Sequence, residues 1–457
     1  MKFMKYGKAL LMSALSAGVV LSVTSCVQSY SVGYLYVTGT VTSESNGNGI
    51  ITGFKIDHNT GKLNPIAGMP VSSGGANPVR AVLPSGIGSH FVYVLNRGAN
   101  AEGNSDCTTA DPCKNSNITE FAVGPNGVLT YQATYYTQGV NPFRLAADSS
   151  GSHLFVLDHD APDNYSGATG AANACAQVLN GATTCGDVTG FTVNSTTGRL
   201  SLIQNTQVKV TSTANGTQNP AYFPVPVSPI DFVFAGNNLL TLTGTPATGD
   251  SVFPYTYNTS SGELSRTLNT SDSIGNVYEA TAIVYTRSYL WVLDNEPPSP
   301  NPTGARSQIL PWSVTATGAL TAPTSGPIAD DVNQSNPIWL AEESSGKWFY
   351  VANQGSSSNQ TVALSGIAGF TENSPFNPSE IGGTPIGFGS GAGPVCLVED
   401  PSNQFFYTAN FDSATVTGQL LDSTSGALTP LSQSSKAPSS YALTGPPSWC
   451  FVDGQTS

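Results

Sequence analysis

Four charged residues occupy matching positions along the chain and could bind or hydrolyse a small molecule. Arg80, Arg144 and Asp231 each stand two residues after a proline, and Glu279 lies near the equivalent point of a stretch that lacks the proline. Arginine can hold a carboxylate or a carbonyl oxygen through parallel hydrogen bonds, and a carboxylate can activate water. These four residues form the predicted catalytic set, and the alternative is an ion-pair network without catalysis.

A second group of polar side chains comprises Asp158, His159, Asp160, Asp163 and Asn164. Such a concentration of oxygen ligands is typical of a calcium loop, but the irregular spacing favours a plain acidic loop. The chain has four histidines and no Cys-x-x-Cys pair, which argues against a zinc site. We therefore predict no metal and no cofactor.

The charge composition limits the classes of partner and reaction. The 457 residues include 16 basic and 29 acidic side chains, for a net charge of −13. Phosphate backbones require clustered lysines and arginines, so nucleic acid is excluded as a partner. No Gly-x-Ser-x-Gly motif stands between a strand and a helix, so a serine-triad hydrolase has no support.

The start of the chain has the pattern of an export signal. Lys2, Lys5 and Lys8 precede an apolar run over residues 9–23, which is shorter than the roughly 20 residues that span a bilayer. The run ends at Val23-Thr24-Ser25-Cys26, which resembles a bacterial lipobox. We predict a signal peptide over residues 1–25 and a lipidated tether over residues 26–32. The protein would then be an exported lipoprotein of the cell envelope, with the outer membrane or the periplasm favoured. The alternative is an ordinary signal peptide with a chance cysteine.

Lipidation of Cys26 leaves six of the seven cysteines, an even number in an exported chain where disulfides form. Cys107 and Cys113 share one segment between strands, and Cys175 and Cys185 share another. Proximity in the chain therefore favours pairing within each segment.

The elements that would position all these residues are short strands in a repeat. Glycine (48) and proline (31) punctuate runs of Val, Thr, Tyr and Ile, which predicts an all-β protein. Each repeat has an aromatic-Val-type strand, a Gly-x-Leu turn and a Pro-led strand. The first element recurs seven times: Tyr36–Gly39, Tyr93–Asn96, Phe155–Asp158, Thr241–Gly244, Trp291–Asp294, Tyr350–Asn353 and Tyr407–Asn410.

A period near 60 residues with about four strands per copy is typical of propeller blades. We predict a seven-bladed β-propeller of four-stranded blades over 33–457. The strand Pro447–Asp453 should close the ring by pairing beside Tyr34–Thr38 in the first blade, which removes an open edge. Cys396 lies in the matching strand one blade before Cys450, so a bridge between them is predicted at this seam; two separate thiols are the alternative.

The Pro-led strand should be innermost, with every second side chain facing the central channel. Residues 97–117, 159–187, 295–308 and 354–361 follow the aromatic-Val strands, and 210–228 precedes a Pro-led strand. These long insertions should form one elaborated rim. They would be either a binding face or tolerated surface insertions.

The Tyr-Val-x-Asn, Gly-x-Leu and Pro-led elements resemble the seven-bladed lactonase-type propellers of the YVTN-repeat class, which include 6-phosphogluconolactonases. The resemblance covers Gly33 to Asp453. It implies hydrolysis of a small lactone or ester in the channel, and an Arg, His and Glu set there, although no Pro-led strand of this chain contains His. The alternative is a non-catalytic cell-surface binding or scaffold propeller for a glycan, a peptide or an envelope protein. In either case we expect a monomer.

Overall fold

The computed structural model describes residues 30–454, except for 42–47, 87–89, 102–106, 213–215, 245–248, 267–271, 275–276, 278, 288, 296–306, 323–326, 331–333, 356–364, 373–377, 385, 390–391, 435–436 and 439. The predicted signal peptide and Cys26 lie outside this part of the chain. In the described residues, no helix has the length and apolar character needed to cross a bilayer.

Seven sheets form the ring, and the strands of each sheet are named from the innermost to the outermost. Blade 1 contains β35 (Pro447–Asp453), β1 (Ser31–Thr40), β2 (Asn48–Asp57) and β3 (Leu63–Pro65), with β4 (Val71–Ala76) also on β2. Blade 2 contains β5 (Pro78–Val82), β6 (Phe91–Asn96), β7 (Asn117–Val123) and β8 (Leu129–Tyr135). Blade 3 contains β9 (Val140–Ala147), β10 (His153–Asp160), β11 (Gly186–Val193) and β12 (Leu200–Leu202), with β15 (Tyr222–Val225) on β11.

The remaining four blades repeat this order. Blade 4 contains β16 (Pro229–Ala235), β17 (Asn238–Thr243), β18 (Ser251–Tyr257) and β19 (Leu264–Arg266), with β20 (Asp272–Ser273) on β18. Blade 5 contains β21 (Ala280–Thr286), β22 (Tyr289–Asp294), β23 (Gln308–Val314) and β24 (Leu320–Thr321), with β25 (Ile328–Ala329) on β23. Blade 6 contains β26 (Pro337–Glu342), β27 (Trp348–Asn353), β28 (Ser365–Thr371) and β29 (Ile386–Gly389). Blade 7 contains β30 (Pro394–Glu399), β31 (Phe405–Asn410), β32 (Thr415–Leu421) and β33 (Leu428–Pro430), with β34 (Tyr441–Ala442) on β32.

Short elements complete the fold. A separate hairpin joins β13 (Val210–Ser212) to β14 (Gly216–Gln218). The short helices are α1 (Asp163–Ser166), α2 (Ala174–Val178) and α3 (Leu431–Ser434), and one 3₁₀ turn spans Gly170–Ala172. Both α1 and α2 lie in the insertion between β10 and β11, on the predicted rim.

The all-β, seven-bladed prediction is confirmed, with one refinement of the outermost strands. In five blades this strand is interrupted, and its two segments pair with opposite ends of the third strand, as β3 and β4 do on β2. Pro65 and Pro430 end the first segment in blades 1 and 7, because an edge strand tolerates a residue that cannot donate to the ladder.

Ring closure follows the predicted register. Tyr34 lies opposite Asp453 and Thr38 opposite Trp449 in the antiparallel pair of β1 and β35. The Cys396–Cys450 disulfide joins the inner strands of blades 7 and 1, with Cα atoms 5.8 Å apart. The strand β1 begins at Ser31, so the propeller starts two residues before the predicted boundary at 33.

The tyrosine of the repeat explains why the aromatic-Val strand and the Gly-x-Leu turn recur together. In four blades its hydroxyl donates to a glycine carbonyl in the turn of the next blade, at 2.5 to 2.7 Å; the pairs are Tyr36–Gly127, Tyr93–Gly198, Tyr350–Gly426 and Tyr407–Gly61. Gly61 has a φ of +65°, and a Cβ there would lie 2.6 Å from the Phe405 ring. Only glycine satisfies both conditions at this contact.

Candidate functional site

The inner strands surround a central channel that contains two chambers. The lower chamber has a volume of about 680 Å³ and is lined by residues from all seven inner strands, such as Arg80–Leu83 and Arg144–Ala147. The inner strand is the edge of each blade, so consecutive residues along it border the channel, and the alternation of their side chains stays a prediction.

The upper chamber lies at the beginning of the inner strands and has a volume of about 320 Å³. Its wall includes the residue after the leading proline in five of these strands: Val79, Phe143, Ile338, Val395 and Ser448. Arg97 and His159, at the ends of the second strands of blades 2 and 3, add polar groups from the rim side. Arg80 and Arg144 line both chambers.

Arg144 and Asp231 form an ion pair across adjacent blades. The Arg144 Nε donates to Asp231 Oδ1 at 3.2 Å, and the Asp231 side chain is 6% exposed. Asp231 Oδ1 also accepts from the Phe232 amide at 2.9 Å, and its Oδ2 accepts from the Ile283 amide at 3.2 Å. Both carboxylate oxygens are thus occupied, which leaves Asp231 poorly placed to activate water.

Arg80 has a different environment, although it occupies the equivalent position on the neighbouring inner strand. It is 8% exposed, and its guanidinium carbon lies 3.5 Å from the Trp449 ring centroid and 5.3 Å from that of Trp339. Among the described residues it forms no ion pair and no side-chain hydrogen bond, and Asp231 is the carboxylate whose charge acts on it. Burial lowers the pKa of Arg80 well below its ordinary value, and the charge of Arg144 lowers it further.

Glu279 does not reach the channel. The register of blade 5 places Ala280 opposite Asp294 and Ala282 opposite Leu293, which are the positions of the proline and of the arginine in the other inner strands. Glu279 precedes this strand, is exposed and accepts from Asn295 Nδ2 at 3.3 Å. Because no proline marks the start of this strand, the predicted alignment of the repeat is displaced by three residues.

His159 is a channel residue that the sequence did not assign to the catalytic set. Its ring stacks on Phe143 with centroids 3.8 Å apart and planes inclined by 14°. Burial, followed by the charge of Arg97, lowers the pKa of His159 to about 4. The imidazole is therefore neutral at pH 7 and can accept a proton. The signal that could have located it is its position just after an aromatic-Val strand.

A third cavity, the rim pocket, opens beside the upper chamber. It has a volume of about 400 Å³ and is lined by Cys107, Thr108, Thr109, Asn141, His159, Asp160, Asn164, Thr184, Val227 and Ser228. The Cys107–Cys113 and Cys175–Cys185 disulfides hold the two loops that frame it. All three predicted disulfides are present.

The three carboxylates considered for a calcium loop, Asp158, Asp160 and Asp163, accept hydrogen bonds at the rim. Asp163 Oδ2 accepts from the Ala174 amide at 2.9 Å and from the Tyr222 hydroxyl at 3.1 Å. Asp158 and Asp187 are fully buried and share the Thr189 hydroxyl, at 3.4 and 3.2 Å. In the part of the chain that the structure describes, no group of three or more His, Cys, Asp or Glu side chains has the geometry of a metal site.

Comparison with known proteins supports the fold. No family model and no curated protein matches the sequence. Solved structures do match, including proteins named as candidate 6-phosphogluconolactonases. The one from Bacteroides fragilis has a TM-score of 0.59 and 14% identity over 92% of this chain and 98% of that chain. The one from Bacteroides uniformis has a TM-score of 0.60 and 15% identity over 92% and 100%.

The chain has the fold of the lactonase-type propellers. The same architecture occurs in a hypothetical selenium-binding protein from Sulfolobus tokodaii, with a TM-score of 0.59 and 10% identity over 93% of this chain and 94% of that chain. Identities this low establish the shared fold alone, since one fold hosts many activities.

Proposed function

We propose that this protein binds a small organic anion or lactone in the upper chamber and hydrolyses the lactone there. The observation that carries the proposal is Arg80, a buried guanidinium with no hydrogen-bond acceptor among the described residues. Arg80 lines both chambers, so a carboxylate or a carbonyl oxygen in the upper chamber can accept hydrogen bonds from its guanidinium. The Trp449 ring packs on the guanidinium, so little side-chain entropy is lost when a ligand binds.

Hydrolysis of a lactone requires an activated water and a group that stabilises the developing oxyanion. Arg80 is in the wall of the upper chamber and can stabilise the oxyanion. His159 lies in the same wall and is neutral at pH 7, so it can take a proton from the attacking water. The water oxygen adds to the carbonyl carbon, the ring C–O bond breaks, and the proton passes to the released hydroxyl. The product is a hydroxy acid, whose carboxylate Arg80 can retain.

Export is part of the proposal. The three disulfides are typical of proteins that fold in oxidising compartments. A signal peptide over 1–25 and lipidation of Cys26 would place the propeller in the cell envelope. Its substrate would then be a lactone available outside the cytoplasm, and the membrane would be contacted through acyl chains.

The test is a panel of sugar lactones and aliphatic lactones with the parent protein and three variants. Arg80→Met should remove both hydrolysis and product binding, while H159Q should lower kcat by about 100-fold or more and retain product binding. Lys62→Gln, which removes a charge at an exposed turn of blade 1, is the matched control and should match the parent. Parent activity should fall below about pH 4, where His159 becomes protonated.

Two outcomes would contradict the proposal. Product binding that survives Arg80→Met would show that the anchor is elsewhere. Product binding without hydrolysis of any lactone would leave a binding module, the alternative function, and overturn the catalytic step.

A further inference from the structure

The rim pocket and the upper chamber lie next to each other and share one wall residue. His159 lines both cavities. On β9, Asn141 faces the rim pocket and Phe143, two residues later, faces the upper chamber. A ligand held at Arg80 can therefore extend past His159 into the rim pocket. Both volumes fall in, or close to, the roughly 300–1,000 Å³ range of small-molecule sites.

The wall of the rim pocket is rigid and rich in hydrogen-bonding groups. Asp160 is 6% exposed and accepts from Asn141 Nδ2 at 2.8 Å, Thr109 Oγ1 at 2.9 Å and Asn164 Nδ2 at 3.1 Å. The same asparagines accept from the Cys113 and Cys185 amides at 2.8 and 2.9 Å. The disulfide loops thus fix these side chains before any ligand arrives, which is the condition for specific recognition.

The chemistry of this wall favours neutral hydroxyl groups. Thr184 and Ser228 are exposed there, and their hydroxyls have no partner among the described residues. The charge of Asp160 would repel a second carboxylate, whereas the Thr184 and Ser228 hydroxyls can each donate to and accept from a ligand hydroxyl. A carboxylate or lactone end therefore fits the arginine chamber, and an uncharged polyhydroxyl group fits the rim pocket.

We infer that the substrate is a sugar lactone extended by a further sugar, that is, a glycosylated aldonolactone whose product is a glycosylated aldonic acid. This inference rests on the proposed function, because it places the reacting end at Arg80. Val227 and the sulfur of Cys107 are the apolar part of the rim-pocket wall. A peptide side chain would need a larger apolar pocket or a free sheet edge.

The test compares two monoanionic probes that differ only in the added sugar: gluconate and lactobionate. Calorimetric titration of the parent should give about tenfold tighter binding of lactobionate, the effect of one further well-made hydrogen bond. Val227→Trp would fill the rim pocket from an exposed position and should reduce lactobionate binding to the gluconate level. Thr184→Tyr is a second obstruction in case the first variant does not fold. Leu202→Trp, on the exposed outer strand of the same blade, is the matched control.

Each result bears on one claim. Equal affinities for the two probes in the parent would overturn the inference while leaving gluconate binding at Arg80 intact. Unchanged lactobionate binding in both Val227→Trp and Thr184→Tyr would also overturn it. If N-acetyl-glycyl-glycine binds as tightly as lactobionate, the rim pocket accepts a peptide in place of a sugar, and the inference is overturned. Gluconate binding that is insensitive to Arg80→Met would contradict the proposed function instead.

Discussion

Arg80 and Arg144 show how one repeat position acquires two roles. Both stand two residues after the leading proline of adjacent inner strands. Arg144 is neutralised by Asp231, whereas Arg80 lines the chambers with its guanidinium over the Trp449 ring. The charge of Arg144 contributes to the lowered pKa of Arg80. A bound anion would offset that repulsion, because its negative charge would act on the same Arg80 guanidinium as the positive charge of Arg144.

A second residue-scale feature is the buried pair Asp158 and Asp187 below the rim. Burial raises the pKa of both carboxyls well above the ordinary range, and the charge of Asp158 raises that of Asp187 further. Gly139 packs directly on the pair, since a Cβ there would lie 2.0 Å from Asp187 Oδ1. The folded protein therefore holds protons that the unfolded chain releases near pH 4.

This pair predicts a pH dependence of stability. The free energy of unfolding of the parent should fall as the pH rises from about 4 towards the raised folded-state values. Asp187→Asn removes one of the two titrating carboxyls, so its stability should vary less over this interval and exceed that of the parent at pH 7. Urea unfolding at a series of pH values measures both. A parent whose stability rises steadily from pH 4 to pH 7, with Asp187→Asn less stable throughout, would contradict the raised pKa values of the buried pair.

The candidate site is predictable from the sequence where the repeat is regular. The position two residues after a leading proline locates Arg80, Arg144 and Asp231, because inner strands begin alike in most blades. It misplaces Glu279 because blade 5 has Ala280 where the other inner strands have proline. It misses His159 because this residue enters from the second strand. The pairing of Arg144 with Asp231 depends on side-chain geometry that the sequence alone does not specify.

At the scale of elements, the tyrosine hydroxyls connect neighbouring blades. Tyr407 is fully buried and donates to the Gly61 carbonyl at 2.6 Å, across the seam between the last blade and the first. The sequence shows that tyrosine and glycine recur, but the contact lies between blades and not within one repeat. Removing the hydroxyl would leave a buried carbonyl without this donor.

Tyr407→Phe should accordingly lower the free energy of unfolding by about 1–2 kcal/mol. Tyr131→Phe is the matched control, because Tyr131 is 57% exposed on the outer strand of blade 2 and should change the stability by less than about 0.5 kcal/mol. Equilibrium unfolding in urea compares the two variants. Equal effects would show that the interblade hydrogen bond contributes nothing.

At the scale of the whole molecule, the C-terminal strand both closes the ring and completes the site. The strand β35 pairs with β1, carries Cys450 of the seam disulfide and supplies Trp449 beside Arg80. The sequence predicts this closure because the repeat begins at the second strand of a blade and ends with an isolated Pro-led strand. Closure and ligand binding should therefore be lost together.

Deletion of residues 447–457 should expose the inner edge of blade 1 and cause aggregation. The matched control is a chain ending at Gly454, which retains all of β35. Size-exclusion chromatography and thermal melting distinguish the two. A chain without β35 that remains monomeric with the melting temperature of the parent would contradict this topology.

The measurement that tests the central claim most directly is gluconate affinity together with melting temperature for Arg80→Met and Arg144→Met. The account predicts that Arg80→Met lowers the affinity for gluconate by at least about tenfold. The melting temperature of this variant should stay the same or rise, because a buried charge repelled by Arg144 has been removed. Arg144→Met should be destabilised by about 3 kcal/mol, since the buried Asp231 loses its partner. Unchanged affinity in Arg80→Met, with a fall in melting temperature as large as that of Arg144→Met, would show that both arginines are structural and would contradict the account.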